Sequence, residues 1–91
     1  LVIQYLFLGL RLCMVTREQV RMARGALGWS VKVLSERAGV VANTVSRYEN
    51  GSDALGSTLS KIRRAFEDEG IIFIDENGGG AGVRLRKRDE R

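Results

Sequence analysis

The most regular stretch of apolar and polar positions begins at Thr16. This residue can accept a hydrogen bond at a helix N-terminus, and Gly28 can end a helix in a left-handed conformation. Between them, the apolar positions fall at i, i+3 and i+7, on one face of a helix: Val20, Ala23 and Leu27. The pattern therefore predicts an amphipathic helix between Thr16 and Gly28.

Two shorter helices are predicted next, joined by a tight turn. The segment VKVLSERA follows Ser30, a candidate N-cap, and Gly39 ends it after about two turns. The linker of residues 39–41 is short, so we expect the next helix, with the sequence ANTVSRYEN, to leave at a steep angle. The Asn50-Gly51 pair is a turn signal that ends it.

A fourth amphipathic helix and a β-hairpin complete the predicted order. Ser57 or Thr58 is the expected N-cap of the helix, Gly70 is its expected end, and its apolar stripe consists of Leu59, Ile62, Ala65 and Phe66. The segments IIFID and VRLRK flank the turn sequence ENGGGAG and predict two antiparallel strands. Because a lone hairpin is marginally stable in water, we expect it to pack on the helices or to join a second copy of the chain.

The first 13 residues, LVIQYLFLGLRLC, form an apolar segment. They are too short to cross a bilayer, which takes about 20 apolar residues, and they lack the charged start and cleavage site of a signal peptide. The chain opens on Leu1, and Met14 stands just before the first predicted helix. Our preferred interpretation is that translation starts at Met14 and that residues 1–13 are not native. The alternative is an apolar arm that packs on a partner.

Composition excludes several kinds of site. The 91 residues include no histidine and one cysteine, Cys13, which excludes a Cys/His zinc site, a histidine-activated nucleophile and a disulfide framework. Asp75 and Glu76 have no evident acid-base or metal partner, so we expect no enzyme, metal or cofactor. A lone cysteine is typical of the reducing cytoplasm. The formal net charge of +4 favours nucleic acid as a partner, although an ordinary basic surface gives the same count.

Residues 31–50 meet the steric requirements of a helix-turn-helix. Such a motif needs a small residue in its first helix, a turn residue that tolerates positive φ, and buried side chains on both helices. Ser35 is the small residue and Gly39 the turn residue, and four others fill the buried positions: Leu34, Val40, Val45 and Tyr48. The window therefore predicts a motif that presents its second helix, the recognition helix, to the outside.

The chain resembles the lambda-repressor-like family, the Cro/C1 or Xre-type helix-turn-helix DNA-binding domains. The segments VRMARGALGWS, VLSERAGV, NTVSRYENG and TLSKIRRAF carry the resemblance, and TVSRYENG is the most specific part. It implies a mainly α fold, a four-helix helix-turn-helix bundle with a C-terminal β-hairpin. Residues 14–69 would form the DNA-binding domain, and residues 70–91 a hairpin and basic tail that is a candidate dimerisation element.

The resemblance also implies which residues touch DNA. It places base contacts in the first turns of the recognition helix, at Ala42, Asn43, Thr44 and Arg47. It places phosphate contacts at Arg24, Val31, Lys32, Asn50 and Gly51. It further implies a structural ion pair between Arg24 and Glu49 that orients the recognition helix.

Two residues depart from the family pattern. Val31 stands where the family usually has a glutamine that braces the recognition helix. Val41 replaces the usual Ser or Thr cap, which costs about 1 kcal/mol of helix stability. Both departures reduce the sequence specificity that the resemblance implies.

The resemblance implies a sequence-specific transcriptional regulator of bacterial or phage type, most simply a repressor. It would bind double-stranded DNA as a homodimer, with half-sites about one helical turn apart. The alternative is an antitoxin-like or adaptor module in which the same scaffold engages a toxin-like protein partner.

Overall fold

The computed structural model describes residues 15–86. This part of the chain contains four helices, α1 (Arg17–Leu27), α2 (Val31–Ala38), α3 (Ala42–Glu49) and α4 (Gly56–Asp68), followed by strands β1 (Ile71–Ile74) and β2 (Gly82–Leu85). The mainly α fold class with a C-terminal hairpin is therefore confirmed. The predicted extension at 1–13 lies outside the described residues, as do Lys87 and Arg88 of the tail.

The helix ends around α1 and α2 follow the predicted signals. The side chain of Thr16 accepts a hydrogen bond from the amide of Gln19, whose side chain in turn accepts one from the amide of Thr16. The hydroxyl of Ser30 accepts a hydrogen bond from an amide in the first turn of α2. Gly28 and Gly39 end α1 and α2 with φ of 69° and 74°, where a side chain would be strained.

The start of α4 differs from the prediction. Neither Ser57 nor Thr58 is the N-cap, because the helix begins at Gly56 with Leu55 in the capping position. The carbonyl of Leu55 already accepts the first intrahelical bond from the amide of Leu59, at 3.0 Å. No side chain caps the helix, and Leu55 is 74% exposed, so water can satisfy the first amides.

A single apolar core lies between the helices and the hairpin. Phe66 of α4 is fully buried and stacks on Trp29, with ring centroids 5.5 Å apart. The ring of Phe73 in β1 contacts the Phe66 ring edge-on, with the two centroids 6.1 Å apart. The buried apolar residues come from all four helices, from β1 and from the residue before the first cap: Val15, Val20, Ala23, Leu34, Val45, Tyr48, Leu59, Ile62, Ala65, Phe66, Ile71 and Phe73.

The hairpin packs on α1 and α4 of its own chain. Its antiparallel register pairs Ile71 with Leu85 and Ile74 with Gly82. The buried side chain of Gln19 donates hydrogen bonds to the carbonyls of Ile74 and Gly82, at 3.1 and 3.0 Å. These bonds join the turn end of the hairpin to α1. Of the two predicted ways to stabilise the hairpin, packing on the helices is therefore present in the structure.

The glycine-rich loop of the hairpin is closed by an acidic side chain. The carboxylate of Glu76 accepts hydrogen bonds from the amides of Gly78 and Gly80, at 2.9 and 3.1 Å.

Among residues 15–86, no helix is both long and apolar enough to cross a membrane.

Candidate nucleic-acid interface

A close turn sets α3 against α2. The amides of Gly39 and Val40 both donate to the carbonyl of Ser35, at 2.9 and 3.1 Å. The hydroxyl of Ser35 donates to the carbonyl of Lys32 at 2.7 Å, so this buried polar group is satisfied within its own helix. Because Ser35 is small, the chain can turn across α2 directly after Gly39 and start α3 at residue 42.

The recognition helix α3 has one buried and one outward face. Its buried residues are Val45, Tyr48 and Glu49. Two of the predicted base-contacting residues, Asn43 and Arg47, are exposed, and the other two, Ala42 and Thr44, are half-buried. Asn43 and Arg47, with Thr44 beside them, therefore lie on the side of α3 that a duplex could reach, whereas Ala42 is in the first turn on the same face as the buried Val45 and Glu49.

The structure brings Arg24 and Glu49 together in a bidentate ion pair. Nε and Nη2 of Arg24 donate to the two carboxylate oxygens of Glu49, each at 2.7 Å. Nη1 of Arg24 donates to the carbonyl of Trp29 at 3.1 Å, just before α2. The side chain of Glu49 is only 7% exposed, and its hydrogen bond raises the pKa of Arg24. One guanidinium thus joins α1, the start of α2 and the end of α3.

Two further arginines of α1 contact the C-terminus of α3. Nε of Arg17 donates to the carbonyl of Tyr48 at 3.0 Å, and Nη2 of Arg21 donates to the carbonyl of Glu49. With Arg24, they lie at i, i+4 and i+7 on α1 and bring positive charge to the negative end of the α3 dipole. Arg17 and Arg21 were not predicted from the sequence; their spacing with Arg24 places them on one face of α1 but does not identify the carbonyls that accept.

Tyr48 holds the buried face of α3 against the start of the described chain. Its phenol donates a hydrogen bond to the carbonyl of Val15, and the guanidinium of Arg17 lies 5.3 Å from its ring centroid. Burial raises the pKa of the Tyr48 phenol; the charge of Arg17 lowers this pKa, and the carboxylates of Glu18 and Asp53 raise it. The buried face of α3 is therefore held by a neutral phenol as well as by an ion pair.

Four of the five predicted phosphate-contacting residues fall into two groups, at the start of α2 and after α3, and the fifth is Arg24, which is in the ion pair with Glu49. Lys32 is exposed in the first turn of α2, next to Val31, which is half-buried and packs against the core. Asn50 and Gly51 are exposed in the turn after α3. The amide of Gly51 donates to the carbonyl of Tyr48 at 3.2 Å, so the turn already uses that donor.

The N-terminus of α3 has no side-chain cap. Val41 occupies the N-cap in an extended conformation and is 68% exposed. It makes no side-chain cap, as the sequence predicts for a side chain without an oxygen atom. Only its carbonyl takes part, accepting from the amide of Thr44 at 3.0 Å. The first amides of α3 are therefore available to water or to another acceptor.

Comparison with known proteins agrees with this geometry. The HTH_3 helix-turn-helix family model matches residues 20–67, more than half of the chain. A candidate HTH-type transcriptional regulatory protein of Archaeoglobus fulgidus is 40% identical over 58 residues, which is 64% of this chain and 19% of that protein. The chain thus spans about a fifth of the length of this relative. The chain belongs to the HTH_3 helix-turn-helix family, as the resemblance predicts.

Proposed function

We propose that this domain is a sequence-specific transcriptional regulator that reads DNA by inserting the outward face of α3 into the major groove. The observation that carries the proposal is the exposure of Asn43 and Arg47 on a helix whose opposite face is buried and ion-paired. A recognition helix needs both features, because base edges are read only if exposed side chains are held at a fixed angle.

The side chains on this face supply different base contacts. The amide of Asn43 matches the N6 and N7 groups of adenine, and the guanidinium of Arg47 matches the O6 and N7 groups of guanine. Ala42 and the methyl group of Thr44 offer apolar contact to the thymine methyl group. We therefore expect a short recognition sequence that contains A, G and T at positions facing α3.

Contacts to the phosphates would position the domain on the duplex. Lys32 and the first amides of α2 stand at the start of the helix-turn-helix, and the exposed Asn50 follows the C-terminus of α3. Arg24 uses three of its N–H groups in bonds to Glu49 and Trp29, so its contribution to a phosphate contact rests on its remaining N–H groups. Such contacts carry no sequence information and weaken as salt rises.

We further propose that two copies bind a two-fold operator and repress by occluding a promoter. The half-sites would lie about one helical turn apart. Ile72 and Ile74 alternate with the buried Ile71 and Phe73, so they face away from the core. This outer side of the hairpin is the proposed dimer contact. A monomer in sedimentation at high micromolar concentration would overturn it.

Selection from random duplex DNA tests the proposed function. We expect repeated rounds of binding by the full chain to enrich one sequence, and footprinting on that sequence to protect bases in the major groove. The enriched duplex should bind at least about a thousandfold more tightly than unrelated DNA, as specific sites do for such proteins. Recovery of random sequences after selection would contradict sequence-specific recognition.

A further inference from the structure

A carboxylate stands beside the outward face of α3. The loop after α3 folds back along the helix, because the amide of Ser52 donates to the carbonyl of Arg47 at 2.9 Å. This places Asp53 next to the helix, where it lines a shallow cleft of about 180 Å³ together with Thr44 and Arg47. The cleft therefore combines two of the proposed base-contacting side chains with one acidic group.

Within the part of the chain that the structure describes, the carboxylate of Asp53 takes part in no ion pair. Between residues 15 and 86, the acidic partners in ion pairs are Glu49, Glu67 and Glu69, and Asp53 is exposed. The cationic side chain that lines the cleft with Asp53 is that of Arg47, which is also exposed and takes part in none of the ion pairs among residues 15–86. Asp53, a hydrogen-bond acceptor, and Arg47, which has several hydrogen-bond donors, thus line the same cleft without being paired.

DNA would change the energetics of this cleft. A duplex brings phosphates near Asp53 and removes water from between the two side chains, so an unpaired carboxylate becomes unfavourable and an ion pair becomes stronger. The guanidinium of Arg47 has a planar fork of N–H groups. One edge can donate to guanine O6 and N7 while another donates to a carboxylate.

We infer that Asp53 is a positioning residue for DNA recognition, which pairs with Arg47 in the complex and orients its guanidinium toward a guanine. This inference rests on the proposed function, because it requires that the outward face of α3 reads bases. Asp53 itself makes no base contact in this arrangement. Its effect is confined to the base pair that Arg47 reads.

The test compares base preferences of the full chain and its variants after selection on random duplexes. R47A first identifies the position at which the guanine preference depends on Arg47. We expect D53N to reduce the preference for guanine at that same position by about tenfold, within the range for one bidentate base contact. The double variant R47A/D53N should have the same base preferences as R47A alone, because both substitutions remove the same interaction.

Matched controls separate this effect from the loss of a negative charge. D68N makes the same charge change at an exposed residue at the end of α4, and it should leave all base preferences unchanged. The melting temperatures of D53N and D68N should both stay near that of the wild-type chain. A D53N variant that binds every sequence more tightly, with the guanine preference intact, would show that Asp53 only repels phosphate and would overturn the inference.

Three other outcomes are equally decisive. If D53N changes the preference at a position other than the one that depends on Arg47, Asp53 reads a base directly and the positioning role is wrong. If the wild-type chain shows no base preference at all, the proposed function fails and this inference fails with it. If the wild-type chain is selective and D53N has the same base preferences, the inference is wrong while the proposed function stands.

Discussion

Arg24 and Glu49 form two parallel hydrogen bonds, each 2.7 Å long, between α1 and the last residue of α3. Because the same guanidinium also donates to the carbonyl of Trp29, it contacts the chain on both sides of the helix-turn-helix. The pair therefore sets the position of the outward face of α3 relative to the start of α2. We therefore propose that the role of this pair is structural and that DNA affinity depends on it through the orientation of α3.

Removing one partner of this pair should strongly destabilise the domain. We expect E49A to lower the free energy of unfolding by about 3 kcal/mol, because it leaves a guanidinium partly buried without its counter-charge. Urea denaturation measures the loss. The matched control is E69A, whose partner Arg37 is 54% exposed and which should cost below about 1 kcal/mol. Equal losses in E49A and E69A would refute a special role for the buried pair.

A polar cap should stabilise α3. V41S places a hydroxyl at an exposed N-cap that already has the extended backbone that a cap requires, so we expect a gain of about 1 kcal/mol in the free energy of unfolding. S30A removes the existing cap of α2 and should cost a similar amount. Thermal unfolding of both variants measures the two changes, which should have opposite signs. A destabilised V41S variant would contradict this interpretation of the helix end.

Gln19 should determine whether the hairpin stays docked. Q19A removes the donors to the carbonyls of Ile74 and Gly82, and we expect a loss of about 2 kcal/mol together with faster hydrogen exchange in both strands. T16A disrupts the capping box but leaves the two hairpin bonds, so its exchange increase should be confined to the start of α1. Unchanged exchange in the strands of Q19A would contradict the role of Gln19.

The buried phenol of Tyr48 predicts a loss of stability at high pH. Its pKa is raised in the native state, so its contribution is complete below the unfolded pKa of about 10 and is lost as pH rises through the native pKa. We expect the free energy of unfolding of the wild-type chain to fall above about pH 10 more steeply than that of Y48F. Chemical denaturation at several pH values measures both slopes. Parallel curves would show that Tyr48 does not titrate differently on folding.

The sequence predicts local structure here better than it predicts long-range polar contacts. The four helices follow from apolar periodicity, and Gly28 and Gly39 mark helix ends because a positive φ is costly for other residues. The start of α4 was misplaced, because Ser57 and Thr58 favour a cap while the carbonyl of Leu55 begins the helix without one. Propensity at a helix end is a weak signal when water can satisfy the first amides.

The contacts that hold α3 were only partly predictable. Arg24 and Glu49 carry a family pattern, whereas Arg17, Arg21 and Gln19 donate to backbone carbonyls far along the chain. A carbonyl is present in every residue, so no local residue pattern identifies which one will accept. The cleft at Asp53 could not be predicted from the sequence either, because it depends on the path of the loop that follows α3.

The most direct test of base reading by α3 is the affinity of R47A and N43A for the selected duplex, measured by fluorescence anisotropy. The control is R64A, which removes an exposed arginine from α4 and the same charge as R47A. We expect R47A and N43A to lose about 10- to 100-fold in affinity for the selected site and much less for random DNA, while R64A retains its preference. Equal behaviour of R47A, N43A and R64A would contradict recognition through the outward face of α3.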